Sequence, residues 1–157
     1  MTARAERARW QALSFQAGVG DYRYWGAANM AQVLIVDDDE NIRDAVRLIL
    51  EDAGHTVMEA SDGVTALRIL RESQERLIVL LDMSIPRLNG VDLLSAVVAD
   101  PFLKERYAYL LLTGSGERLR REAGPLLAEA SARIVAKPFE IADLLALIDD
   151  AAERLSA

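Results

Sequence analysis

From Met30 onward, short apolar runs alternate with stretches whose apolar residues recur every three or four positions. That alternation is the rhythm of strand-helix units feeding a parallel sheet buried on both faces. Five pairs can be read. Val33-Leu34-Ile35-Val36 predicts the first strand, and Ile42, Ala45, Val46, Ile49 and Leu50 then mark one face of a helix that Gly54 ends. Thr56 to Ala60 is the second strand, followed by a helix starting near Asp62 or Gly63 and carrying Val64, Leu67 and Leu70. Leu77 to Leu81 is wholly apolar and reads as a central strand. After a turn from Pro86 to Gly90, a helix carries Leu93, Leu94, Val97 and Val98 and is expected to close before Pro101. Tyr109 to Leu112 is the fourth strand. The helix after it is the weakest, because Gly124-Pro125 must kink or split the segment from Glu117 to Glu129. Arg133 to Ala136 is the fifth strand, and the last helix stacks Ile141, Leu144, Leu145, Ile148, Ala152 and Leu155. The expected fold class is α/β, a doubly wound parallel sheet of five βα units.

Composition narrows the function. The 157 residues hold one domain of ordinary size, and 52% hydrophobic with 27% charged residues is a mix that buries one core. Acids outnumber bases 25 to 18, a net charge of -7 that repels nucleic-acid backbones and anionic lipid. The absence of Cys removes disulfide and thiol chemistry, and a single His cannot build a His-rich zinc site. No apolar run approaches the roughly 20 residues of a membrane span, and the first residues lack the apolar block of a signal peptide. A cytoplasmic location is expected, with neither membrane nor direct nucleic-acid partners.

Residues 1 to 29 stand apart. They hold four arginines (Arg4, Arg7, Arg9, Arg23) against Glu6 and Asp21, and both tryptophans, Trp10 and Trp25. The remaining residues, 30–157, carry 14 basic against 23 acidic groups, a net -9. The segment is expected to be an N-terminal extension, a disordered tail or sequence from a start codon assigned too early. The competing reading is a basic, aromatic arm that docks on an acidic partner or on the domain itself.

In doubly wound sheets, ligands bind at the carboxyl ends of the strands. The first strand ends in Asp37-Asp38-Asp39-Glu40, the third in Asp82, the fourth in Thr113 and the fifth in Lys137-Pro138. A dinucleotide site would need glycines after the first strand, so acids there exclude it. Clustered carboxylates repel unless a cation neutralises them, and a hard divalent ion such as Mg²⁺ takes carboxylates together with phosphate oxygens. The edge therefore reads as an Mg²⁺ and phosphoryl pocket, with a carboxylate as possible nucleophile and a lysine and hydroxyl to neutralise charge. Asp39 and Glu40 fit helix capping better than ligation. The chain has 18 basic residues of which only Lys104 and Lys137 are lysines, so a lysine at a strand end suggests a need for a compact charge. His55 is expected to be a partly exposed loop residue.

The segments VLIVDDDENIR (33 to 43), LLDMSIPRLNG (80 to 90), LLLTGSG (110 to 116) and AKPFE (136 to 140), in that order, make residues 31 to 155 resemble the receiver domain of bacterial two-component response regulators. The resemblance implies a flavodoxin-like fold with strand order 2-1-3-4-5 and a receiver domain over residues 30–157. It implies that Asp82 accepts a phosphoryl group from a phosphohistidine of a sensor histidine kinase or histidine phosphotransfer protein, with Thr113 and Lys137 contacting that group. It implies Mg²⁺ held by Asp37, Asp38, Asp82 and the backbone carbonyl of Ser84, and a cis bond before Pro138. The chain would then be a single-domain switch that modifies only itself and acts on a downstream protein target, with a homodimer possible.

Three departures accompany the resemblance. Ile134 occupies the family's usual switch-aromatic position, Gly124-Pro125 falls in a helix of the usual partner face, and Ser84 and Ser115 are too short to orient a hydrolytic water. The last implies a phosphorylated state that is not especially short-lived. A phosphorylation-independent interaction or scaffold module is the alternative function. A phosphatase with an aspartyl intermediate is disfavoured, because no second carboxylate follows two residues after Asp82.

Overall fold

The computed structural model describes residues 30–156, so the expectations for residues 1 to 29 lie outside the described residues. Five strands, β1 (Gln32–Val36), β2 (Thr56–Ala60), β3 (Leu77–Asp82), β4 (Ala108–Thr113) and β5 (Arg133–Ala136), form one parallel sheet in the order β2-β1-β3-β4-β5. Six helices connect and follow them: α1 (Glu40–Asp52), α2 (Gly63–Glu72), α3 (Gly90–Val98), α4 (Pro101–Arg106), α5 (Gly116–Glu129) and α6 (Ile141–Ser156). The expected fold class and strand order are both present. Among the described residues no helix is long and apolar enough to cross a membrane.

Both faces of the sheet are covered, and the alternation of side chains along each strand divides the core in two. Leu34, Val36, Val79, Leu81 and Leu111 pack with Leu70 of α2, Leu93, Leu94 and Val97 of α3 and Leu119 of α5. Val33, Ile35, Ile78, Leu80, Leu110 and Leu112 point the other way, against Val46 and Leu50 of α1 and Leu144, Leu145 and Ile148 of α6. Every residue of β3 is buried, as its uninterrupted apolar run requires.

One expectation, for His55, needs correction, and one helix was not anticipated. The helix α3 closes before Pro101 as expected, and the unanticipated α4 begins there, with Asp100 accepting from the Phe102 N–H at 3.0 Å. Pro at the first helical position, directly after an Asp cap, is a helix start rather than a stop. The break expected from Gly124-Pro125 is present in α5, and it falls at Ala123 (φ -136°, ψ 18°), just ahead of that pair. Pro125 has no N–H to offer the preceding turn, and the helix resumes beyond it. His55, expected to be partly exposed, is instead buried, 7% exposed, because its Nδ1 accepts the Ala31 N–H at 3.1 Å. Gly54 does end α1 as expected, at φ 98°, with the His55 N–H reaching back to the Leu50 carbonyl at 3.0 Å.

Candidate functional site

Strand register builds the site. Val36 pairs with Leu81, so Asp37 and Asp82 leave neighbouring strands at the same level, at the point where the strand order reverses. Asp82 pairs with Leu112 and Thr113 with Ala136, which brings Thr113 and Lys137 to the same edge. The Lys137 N–H donates to the Thr113 carbonyl at 2.8 Å, and the Lys137-Pro138 bond is cis.

Carboxylate oxygens of Asp37, Asp38 and Asp82 all lie within 4.8 Å of one another. Asp37 is 1% exposed and Asp82 7% exposed, whereas Asp38 is open to solvent. Lys137 Nζ lies 3.2 Å from Asp82 Oδ2, and the Ser84 N–H donates to Asp82 Oδ1 at 3.0 Å. Asp37 Oδ1 accepts the Asp39 N–H at 2.9 Å, while its buried Oδ2 has no partner. Burial raises the Asp37 carboxyl above the ordinary carboxylate range, and the charges of Asp82 and Asp38 push the same way, against the Asp39 hydrogen bond and the Lys137 ammonium. A buried carboxylate oxygen without a donor, facing two other acids, is the donor set of a hard divalent cation. The residues present fit Mg²⁺.

Thr113 is half-buried, and its Oγ1 accepts the Ser115 N–H at 3.1 Å, which orients the hydroxyl at the start of the loop into α5. Asp39 caps α1 by accepting from the Asn41 and Ile42 N–H groups, and Glu40 opens the first turn, so capping accounts for this pair. Ser84 meets Asp82 through its N–H. All the residues expected at the site therefore come to one edge.

Two contributions were not anticipated. Arg43 donates to the Asp37 backbone carbonyl at 2.7 Å and lies 3.4 Å from Glu59, fixing the acidic loop from the first turns of α1. The loop after β3 is fastened to α2: Arg87, at φ 68°, donates to Asp62 Oδ2 at 3.1 Å, and the Leu88 carbonyl sits where a Cβ on Gly63 would be, at 1.9 Å. Asp62 also caps α2 through the Thr65 N–H at 2.7 Å, and that bond, with help from the Thr65 hydroxyl and Arg87, holds its carboxyl below the usual range. The start of α2 near Asp62 was readable, but a contact between loops 25 residues apart leaves no local signal.

Comparison with known proteins agrees with this geometry. Residues 33–149 match the family model for the response regulator receiver domain. The chain is 34% identical over 128 residues to the chemotaxis protein CheY-3 of Vibrio cholerae serotype O1, covering 79% of this chain and 93% of that one. It is 34% identical over 129 residues to the chemotaxis protein CheY of Pseudomonas aeruginosa, covering 80% and 98%. A CheY-like response regulator receiver domain protein from Methanospirillum hungatei JF-1 superposes with a TM-score of 0.68 at 30% identity, over 80% of this chain and 96% of that structure. With its site at the switch point of a 2-1-3-4-5 sheet, the chain belongs to the response regulator receiver domain family.

Proposed function

We propose that this receiver is a phosphorylation-dependent switch in which Asp82 takes a phosphoryl group from the phosphohistidine of a sensor histidine kinase or histidine phosphotransfer protein. Phosphoryl acceptance is general to the family. The observation that carries the reading here is Asp82 itself: a nearly buried carboxylate, paired at 3.2 Å with Lys137 and grouped with Asp37 and Asp38. An Asp82 oxygen forms the O–P bond as the P–N bond breaks, and the leaving imidazole takes the bond's electron pair and a proton. Lys137 passes from the carboxylate to the phosphoryl oxygens, and the Thr113 hydroxyl turns toward them. Asp37, Asp38, Asp82 and the Ser84 carbonyl would hold Mg²⁺, which when bound neutralises charge on the transferring group. Catalysis is confined to the protein's own modification. The switch is housed in residues 30–157 as a receiver, with residues 1 to 29 as its extension, and it works in the cytoplasm on a protein target.

Transmission has a physical route without the aromatic. A Cβ on Gly116 would lie 3.2 Å from Ile134 Cγ2, so Gly116, at the start of α5, packs closely on β5. Movement of Thr113 toward a phosphoryl group would displace that contact and bias the surface of α5, β5 and α6. Ile134 also favours a second reading, a scaffold module that binds partners without phosphorylation.

Incubation with a phosphohistidine-bearing donor domain separates the two. The switch predicts label transferred to the wild-type chain and none to Asp82→Asn. No transfer from any histidine donor to the folded protein would favour the scaffold.

A further inference from the structure

Asp62 and Arg87 each exceed what their own stretch of chain requires. Asp62 caps α2 through Oδ1, which accepts the Thr65 N–H at 2.7 Å. An uncharged Asn or Ser would cap a helix as well, so the charge is not needed there. Arg87 sits at φ 68°, in the left-handed region where glycine is the relaxed choice and a long side chain is a cost. What each residue adds beyond its local duty is its half of an ion pair: Arg87 Nη1 donates to Asp62 Oδ2 at 3.1 Å. The Asp62 side chain is 10% exposed and that of Arg87 61%, so the guanidinium reaches in from solvent to a carboxylate that the fold has already placed.

The pair fastens the far end of a short span that carries an expected metal ligand. Beyond β3 the chain runs through Ser84, whose N–H donates to Asp82 Oδ1 at 3.0 Å, and then through Ile85, which is buried. From Pro86 to Leu88 it lies against the start of α2. The Gly63 N–H donates to the Pro86 carbonyl at 3.4 Å, and the Leu88 carbonyl fills the space that a Cβ on Gly63 would need. Ser84 is exposed between these fixed points. At the α2 end the ion pair is the strongest bond, since a charge-assisted contact outweighs a neutral one stretched to 3.4 Å.

We infer, on the metal ligands proposed above, that Asp62 and Arg87 are a positioning pair for the Mg²⁺ site, holding the loop after β3 so that the Ser84 carbonyl joins the carboxylates of Asp37, Asp38 and Asp82. Neither residue is a ligand. Each acts through the loop, as outer groups that orient metal ligands do. A helix that contributes no ligand thereby sets how well the site holds its cation.

Calorimetric titration of Mg²⁺ into the full-length protein tests this, with thermal melts in chelator showing that each variant is folded. Charge and positioning predict opposite signs for Arg87→Gln. If Arg87 acted by its charge alone, removing a cation near an acidic site would tighten Mg²⁺ binding. As a positioning residue its loss should weaken binding on the order of tenfold, the lower end of what the loss of such orienting groups costs. Asp62→Asn keeps the cap and should weaken binding to a similar extent. The double variant should lose no more than either single one, because both residues act through the same bond. Binding that is unchanged or tighter in Arg87→Gln would overturn the inference, as would losses that add in the double variant. A pair that served only stability would lower Tm in chelator and leave the Mg²⁺ affinity of the folded protein where it was, which also overturns it. Phosphorylation is read separately: a wild-type Asp82 that takes no phosphoryl group, while Mg²⁺ affinity follows the pair as expected, would count against the proposed function and not against the positioning role.

Discussion

At the residue scale, Asp37 is the most informative side chain. It is almost wholly buried, one oxygen lacks a donor, and desolvation raises its carboxyl, so without a cation its charge is a stability cost. Asp37→Asn should therefore stabilise the metal-free protein, on the order of 1 kcal/mol, the size of an ordinary point-mutant effect. The same variant should lose the rise in Tm that Mg²⁺ gives the wild type. Thermal melts with and without Mg²⁺ check both. His55 carries a different signature. Burial lowers its pKa, against the pull of Asp149, and its Nδ1 is engaged as an acceptor, a role that protonation would abolish. The unfolded chain takes up the His55 proton near pH 6.5 and the folded chain only below that, so stability should fall as pH drops from about 6.5 through the lowered value. The slope should be no more than about 1.4 kcal/mol per pH unit, and His55→Gln should flatten that window in denaturation midpoints measured across pH. The place of Asp82 at the site was legible because the carboxyl ends of the strands in a doubly wound sheet meet at one edge. The burial of His55 was not, because it depends on where Ala31 passes in space.

At the scale of elements, β1, β3 and β4 were legible as apolar runs of a sheet buried on both faces, and the edge strands β2 and β5 as short segments completing the same strand-helix rhythm. Helix boundaries were less so. The close of α3 before Pro101 was legible, but the second helix that begins at Pro101 was not, since only the Asp100 cap signals it. The joint between α2 and the loop after β3 left no trace in the sequence, although it positions the backbone just beyond Asp82. There Gly63 is required by close approach, its missing Cβ occupied by the Leu88 carbonyl. Gly63→Ala should destabilise the fold by about 1–3 kcal/mol, the usual cost of overpacking. It should also weaken Mg²⁺ binding by pushing the loop bearing Ser84 away from the acids, which metal titration by calorimetry at a temperature where the variant is folded would register.

At the scale of the whole molecule, the two ends of the sheet differ. Its carboxyl edge gathers three acids, a hydroxyl and one of the chain's two lysines, and its amino edge carries a surface groove and the junction to the arginine-rich segment. The first end was legible in the sequence, because a doubly wound sheet forces all strand ends to one side. The second was not, since a groove arises from packing between elements distant in the chain. The account rests on Asp82 as the phosphoryl acceptor. Intact-mass spectrometry of the folded protein after incubation with a small-molecule phosphoryl donor tests this most directly. The prediction is a gain of one phosphoryl mass in the presence of Mg²⁺, absent with a chelator and absent in Asp82→Asn. A gain that persists in Asp82→Asn, or no gain in folded wild-type protein with Mg²⁺, would contradict it.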